Sequence, residues 1–341
     1  MDPLHTLLNL VIPPSGLSFL ALVWPTLAFT NVFQWLLTTL FPEEVVRKVV
    51  LITGASSGIG EQIAYEYAKR GARLALVARR ENLLQQVAHN AKKQGAADVR
   101  YIVADVSREE DCKRLVEETI NYYGRLDHLV NNAGLTHSFL FEDASDAAGF
   151  FEVMNVTFWG ALYPTYYALP HLRKTRGKIL VNDSVAAWLP FPRMSVYNAA
   201  KAALLNLYDT LRVEIGTEIG ITIAMPGWIE SEMTKGKFAT DEGDLTLQRD
   251  VHVGPFPVEY AEECAKAMVS GVLKGRRYVI VPFWYSVFLL YRLLAPELLE
   301  WSYRLLFVAK APGSDTPPSK ILLETTPAKE AFYPETIRKS E

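Results

Sequence analysis

Val49-Val50-Leu51-Ile52-Thr53-Gly54-Ala55-Ser56-Ser57-Gly58-Ile59-Gly60 decides the fold. Four apolar, mostly β-branched residues run into a glycine-rich turn. The turn runs into Glu61-Gln62-Ile63-Ala64-Tyr65-Glu66-Tyr67-Ala68-Lys69-Arg70-Gly71, a helix closed by glycine. Strand, glycine turn and helix form the dinucleotide-binding entry of a doubly wound α/β domain. Gly54 permits the tight turn, Gly58 lets backbone approach a pyrophosphate, and Gly60 lets the helix pack close to the strand. The helix N-terminus offers free N–H groups and partial positive charge to phosphates. Ser56, Ser57 and Ile59 complete the candidate cradle.

Working outward, Leu74-Ala75-Leu76-Val77-Ala78 reads as a second buried strand. An acid at this strand end commonly binds the ribose diol of NAD. Here Ala78 is followed by Arg79-Arg80, two guanidiniums that can grip a 2′-phosphate, Arg79 before Arg80. The expected cofactor is therefore NADP(H). Residues 81–95 form an amphipathic helix. Residues 100–104 form a third strand ending at Asp105-Val106, where Asp105 either accepts from an adenine amino group or caps the next helix. Residues 107–123 are helical. Residues 127–130 form a fourth strand leading into Asn131-Asn132-Ala133-Gly134, whose amides and glycine can fix the strand end and contact a ribose.

Residues 145–175 read as one long helix containing Asn155, and 178–181 as a fifth strand ending at Asn182-Asp183-Ser184. A helix follows from Tyr197 to about Ile215. Residues 221–225 form a sixth strand closed by Pro226-Gly227. Residues 231–257, polar and glycine-rich, read as a mobile substrate loop. Residues 258–273 are a helix and 278–281 the last strand.

Tyr197 and Lys201 are i and i+4, on one face of a helix. Ser184 lies 13 residues before Tyr197, at a strand end, where doubly wound sheets bind ligands. An ammonium and a cationic nicotinamide both favour the phenolate, so the pKa of Tyr197 is expected to fall toward neutrality. Tyr197 then exchanges a proton with an alcohol oxygen that the Ser184 hydroxyl holds. Asp183 is expected to point away from Ser184, because adjacent strand residues face opposite ways.

Half of the 341 residues are hydrophobic, and the net charge of −3 gives no electrostatic footprint for nucleic acid. Two cysteines, Cys112 and Cys264, make neither a disulfide framework nor a metal cluster. Residues 4–41 carry no Asp, Glu, Lys or Arg, and the run is long enough to enter a bilayer. Pro13, Pro14 and Pro25 leave two topologies open: a helix spanning from about Leu17 to Leu40, bent at Pro25, or a hairpin dipping into one leaflet or an oil monolayer. The expected organisation is an anchor at 1–42, a single catalytic domain at 43–282, apolar helices at 283–310 and a disordered tail at 311–341. The 283–310 stretch reads equally as an amphipathic surface for lipid or a dimer partner, or as a cap over the substrate pocket.

TGASSGIG at 53–60, Asp105-Val106, NNAG at 131–134, Asn155, Ser184, YNAAK at 197–201 and Pro226-Gly227 together resemble the short-chain dehydrogenase/reductase family over about 47–282. The resemblance implies a Rossmann-like parallel sheet, usually dimeric through the helices around 155–172 and 198–215. It implies Asn155 as a proton-relay residue holding water through its backbone and Ser184 as the clamp on the substrate oxygen. Tyr197 is implied as the acid/base, and Lys201 as the group that binds ribose and lowers the tyrosine pKa. Pro226, Gly227, Trp228 and Ile229 would flank the nicotinamide. Ser231 stands where the family usually has threonine, and Asp183 where it usually has serine.

The whole chain is similar to the plant steroleosins, 11β-hydroxysteroid-dehydrogenase-like proteins of seed oil bodies. This likeness rests on the proline-interrupted apolar N-terminus, AAWLPFPRMSVYNAAKAALL at 186–205 and PGWIESEMT at 226–234. It implies a hydroxysteroid or sterol substrate, and an oil-body or endoplasmic-reticulum surface. Sequons at Asn155 and Asn182 lie within the site itself, which favours a catalytic domain facing the cytosol. The alternatives are a structural or sterol-binding oil-body coat protein, and a reductase of another lipid carbonyl.

Overall fold

β1 (Val49–Thr53) is buried at all five positions, the pattern of a central strand covered on both faces. A computed structural model describes residues 2–144, 146–239, 245–247, 256–309, 317–326 and 328–338. The chain divides into two units, 1–43 and 44–341.

The first unit is α1 (Pro3–Leu40), a continuous helix with Pro13, Pro14 and Pro25 inside it and no buried residue. The hairpin alternative needs a chain reversal, and none occurs between residues 3 and 40. Ser15 Oγ and Ser18 Oγ donate to the carbonyls of Val11 and Pro14, four residues back.

In the second unit, α2 (Gly58–Ala68) crosses from β1 to β2 (Arg73–Ala78), and α3 (Glu81–Lys93) leads to β3 (Asp98–Val103). α4 (Glu109–Tyr123) returns the chain to β4 (His128–Asn131) on the other side of β1. α5 (Ala148–Met154), a π turn at Asn155–Trp159 and α6 (Gly160–Thr175) lead to β5 (Lys178–Asn182). α7 (Ser195–Ile215) leads to β6 (Gly220–Pro226). β7 (Lys237–Ala239) and β8 (Leu245–Leu247) form a small antiparallel pair. α8 (Ala261–Leu273) precedes β9 (Tyr278–Val281).

The main sheet runs β3-β2-β1-β4-β5-β6-β9, and every neighbouring pair is parallel. The order reverses between β1 and β4, opening a crevice at their carboxyl ends. Val49 and Leu51 face one core, with residues of α4, α6 and α7. Val50 and Ile52 face the other, with α2, α3 and α8.

Three expectations need correction. The long helix expected over 145–175 starts at Ala148 and is interrupted at Asn155 by the π turn. The disordered tail expected over 311–341 is helical in its described part: α11 (Pro318–Thr325), α12 (Ala328–Phe332) and α13 (Glu335–Arg338). Leu323, Tyr333 and Ile337 bury against Val258, so a few apolar residues in a polar composition suffice to dock it. Of the mobile loop expected over 231–257, residues 231–236 form turns closed by Thr234, whose Oγ1 donates to Ile229 O at 2.9 Å, and 237–239 and 245–247 pair as β7 and β8 instead of loop. Residues 240–244 and 248–255 of that loop lie outside the described residues, as do 310 and, in the tail, 311–316, 327 and 339–341.

The 283–310 stretch contains α9 (Val287–Leu294), α10 (Pro296–Tyr303) and a π turn at Arg304–Val308. Its inner residues Tyr285, Leu299, Tyr303 and Phe307 join the core, while Leu293 and Leu294 are exposed.

Candidate active site

The glycine turn forms one wall of a cavity of ≈ 480 Å³ at the carboxyl ends of the strands. Gly54 sits at φ 65°, and a Cβ there would lie 2.8 Å from Ala133 Cα. A Cβ on Gly60 would lie 2.2 Å from Gly54 O, so only glycine lets α2 start this close to the turn. Gly58 sits at φ 57°, where a Cβ would only touch Ser231 Cβ at 3.5 Å, so the backbone conformation itself asks for glycine. Ser57 caps α2 without a side-chain bond to the helix N–H groups, which keeps the first of them available to an anion.

Asn132 locks this turn to its neighbours. Its Nδ2 donates to Thr53 O and Gly54 O, both at 3.1 Å, and its Oδ1 accepts from Asn182 Nδ2 at 2.8 Å. Its backbone N–H donates to Thr53 Oγ1 at 3.0 Å.

Arg80, rather than Arg79, is built into the cradle. Its Nη2 donates to Ser57 Oγ at 2.8 Å and Ser56 Oγ at 3.2 Å, and its Nη1 donates to Glu232 Oε1 at 2.6 Å. Arg79 makes a longer pair with Asp105 Oδ2 at 3.6 Å. Both arginines line the cavity. The Asp105 carboxylate also accepts from Ser107 N and Ser107 Oγ, closing its own turn, and the residue that caps α4 is Arg108. Glu232 was not singled out in the sequence, because it falls in a segment without periodicity.

Ser184 follows β5. Its Oγ accepts from Ala186 N at 3.1 Å and donates to Pro226 O at 3.3 Å. Tyr197, in the first turn of α7, is 9% exposed and faces the cavity. Lys201 Nζ lies 5.6 Å from the Tyr197 ring centroid and donates to Asn182 O at 2.7 Å. Of the residues named from sequence, Gly54, Ser56, Ser57, Gly58, Ile59, Arg79, Arg80, Asp105, Val106, Asn132, Ala133, Gly134, Ser184, Tyr197, Lys201, Pro226, Gly227 and Ile229 all line one cavity. Gly60 lies behind the turn. Asn155 opens the π turn, with its carbonyl accepting from Gly160 N, and is not among the lining residues.

Burial pushes the Tyr197 phenol up, and the Asp183 carboxylate adds to this against the Ser184 hydrogen bond. The expected fall toward neutrality is therefore not produced by the protein's groups alone. Burial pushes Lys201 down against the pull of Asp183, and pushes Asp183 up against the pull of Lys201. Strand alternation carries Asp183 to the α7 side of β5, with Ile179 and Val181.

Aromatic side chains back the cavity. Phe191 lines it, and the Tyr303 ring of α10 stacks on Phe191 at 5.6 Å. Trp228 meets Phe191 edge-on at 5.8 Å. A Cβ on Gly227 would lie 2.0 Å from Tyr285 Cε2, so this aromatic layer rests directly on the backbone after β6. The inner face of the 283–310 stretch thus backs the pocket, which favours the cap alternative for that face.

A glycine-turn cradle with free helix N–H groups and two arginines fits a dinucleotide, which supplies or accepts hydride when bound. A hydroxyl, a phenol and an ammonium beside that cradle can hold an oxygen and move its proton. Fold and site define an oxidoreductase of the dinucleotide-binding type. Residues 48–242 match the short chain dehydrogenase family, and the chain belongs to it.

The chain is 60% identical over 311 residues to "11-beta-hydroxysteroid dehydrogenase" of Pinus massoniana, covering 90% of this chain and 87% of that protein. It is 51% identical over 347 residues to "11-beta-hydroxysteroid dehydrogenase A" of Arachis hypogaea, covering 99% and 98%. The solved structure of a short chain dehydrogenase/reductase from Burkholderia phymatum in complex with NAD matches with a TM-score of 0.65 at 24% identity. That match covers 75% of this chain and 96% of that one, and it speaks to the fold.

Proposed function

We propose that the protein is an NADP(H)-dependent oxidoreductase that interconverts a secondary alcohol and a ketone on a hydroxysteroid or sterol. The convergence of Ser184, Tyr197 and Lys201 beside the glycine turn in one cavity carries this reading. Ser184 Oγ holds the substrate oxygen. Tyr197 gives that oxygen its proton in reduction and takes it in oxidation. Lys201 binds the cofactor ribose, and Asn155 holds the relay water with its backbone. Arg80, assisted by Arg79, grips a 2′-phosphate where β2 offers Ala78 instead of an acid. The aromatic layer of Phe191, Trp228 and Tyr303 suits a rigid apolar ring system, and the names of the plant relatives support the steroid class.

The N-terminal helix, apolar and with no buried residue, supports an anchor in a lipid surface; by the plant likeness the proposed surface is an oil body or the endoplasmic reticulum, with the catalytic unit facing the cytosol. Exposed Trp159 of the π turn, Tyr166 of α6 and Val213 of α7 suit a homodimer face.

The test uses the full chain in detergent with NADPH fluorescence, hydroxysteroids and ketosteroids. Tyr197→Phe is expected to lower turnover by at least about 100-fold with NADPH affinity retained. Tight cofactor binding without steroid turnover moves the substrate to another lipid carbonyl. Steroid turnover that survives Tyr197→Phe removes the assigned acid/base.

A further inference from the structure

Asp183 is a buried carboxyl to which the reading above gives no task. It is 2% exposed, and neither of its oxygens has a side-chain hydrogen-bond partner; the Ser184 N–H is the backbone group beside it. Across from it, α7 carries Tyr197, Lys201, Tyr208 and Asp209, the charged and titratable groups within its electrostatic reach. The flanking strands present neutral side chains on this face, Asn131 of β4 and Ile223 and Met225 of β6. α6 adds Thr165, bonded to Asn131 and Tyr208. Lys201 turns its ammonium to Asn182 O, so its link to the carboxylate is through space.

We propose that Asp183 is a positioning residue for the proton of the Tyr197–Lys201 pair, holding the pair in its acid form and biasing the site toward carbonyl reduction near neutral pH. The proposal rests on the dehydrogenase reading of Tyr197 and Lys201. The argument is a count of buried charge. With Lys201 as ammonium, Asp183 as carboxylate and Tyr197 as phenol, the cluster is neutral. Losing a proton leaves it with one net negative charge. With asparagine at 183 the cluster starts with one net positive charge, and losing a proton makes it neutral. Burial favours the neutral state, so the carboxylate raises the pH at which the pair lets its proton go. The sign holds whichever partner releases it, because the proton belongs to the coupled pair.

Alcohol oxidation needs the pair to accept the hydroxyl proton as hydride leaves the carbinol carbon for the nicotinamide. Carbonyl reduction needs the pair to deliver that proton to the oxygen as hydride arrives at carbon. A carboxylate that retains the proton moves oxidation to higher pH and keeps reduction competent there.

The test compares pH profiles of kcat/KM for alcohol oxidation by the full chain in detergent. In Asp183→Asn and Asp183→Ser the acidic limb should move down by about one pH unit or more, and Asp183→Glu should keep the original limb. Phenolate absorbance is titrated in parallel on protein saturated with NADP⁺ and, separately, NAD⁺, with Tyr197→Phe as the blank. This arm needs no steroid, and the Tyr197 midpoint should move down in the same two variants. A moved midpoint without steroid turnover keeps the role of Asp183 and removes the substrate class. An unmoved limb and midpoint in folded Asn and Ser variants overturn the proposal.

Discussion

Arg80 carries two tasks in the glycine turn, and they have different electrostatic signs. It donates to Ser56 and Ser57, which orders the cradle, and it pairs with Glu232, which neutralises it. A 2′-phosphate would compete with Glu232 for the same guanidinium. Arg80→Ala is therefore expected to weaken NADPH about tenfold or more, the scale of one charge-assisted hydrogen bond, with a smaller change for NADH. Fluorescence titration with both cofactors checks it, and equal losses for the two would mean that Arg80 only orders the turn. The sequence made both arginines visible through the missing acid at Ala78. It ranked Arg79 before Arg80, whereas the structure builds Arg80 into the turn, because its partner Glu232 is 152 residues away. Asp183 was visible too, and alternation gave its direction. What waits on that side, Lys201 and Tyr197, is a property of how α7 packs.

At the scale of elements, inner strands such as β1, β2 and β6 were legible because both faces are covered and the sequence is largely apolar, whereas β7 and β8 fell in the stretch read as a loop. The helix containing Asn155 was less legible, since an apolar pattern continues through a π turn that inserts one residue per turn locally. The start of α7 shows another contact that periodicity cannot reveal: Val196 N donates to His137 Nε2 at 3.2 Å, one residue before Tyr197. His137 is fully buried among Phe139 and Phe150, and burial pushes it down to about 4. Above the unfolded value of about 6.5 the ring is neutral in both states. As pH falls below that, the unfolded chain takes up a proton that the folded chain refuses until about 4. Stability is thus fully present above about 6.5 and is lost on acidification, by about 3 kcal/mol across the window. His137→Gln keeps an acceptor for Val196 N and removes the titration. Its melting temperature should fall less than that of the natural chain between these pH values, and parallel curves would assign the acid sensitivity elsewhere.

At the scale of the molecule, α1 presents a surface unlike that of the second unit. α1 has 38 residues and would extend about 57 Å, well beyond a hydrocarbon core of about 30 Å. Its side chains, among them Leu22, Trp24 and Phe29, are exposed along its length, and no charge interrupts residues 4–41. Such a surface is stable in lipid and costly in water. The residues that build the cofactor cradle and the Ser184–Tyr197–Lys201 group all lie in the second unit, which has its own two-sided core. Removing residues 1–42 should therefore shift the protein from the floating lipid fraction toward the aqueous one while leaving NADPH affinity within about twofold, because binding depends on the retained unit. Flotation assays and cofactor titration on the two proteins measure both quantities. A truncated protein that still floats fully would move the lipid contact to the exposed apolar residues of α9. A loss of NADPH affinity would mean that α1 supports the site as well as the anchorage.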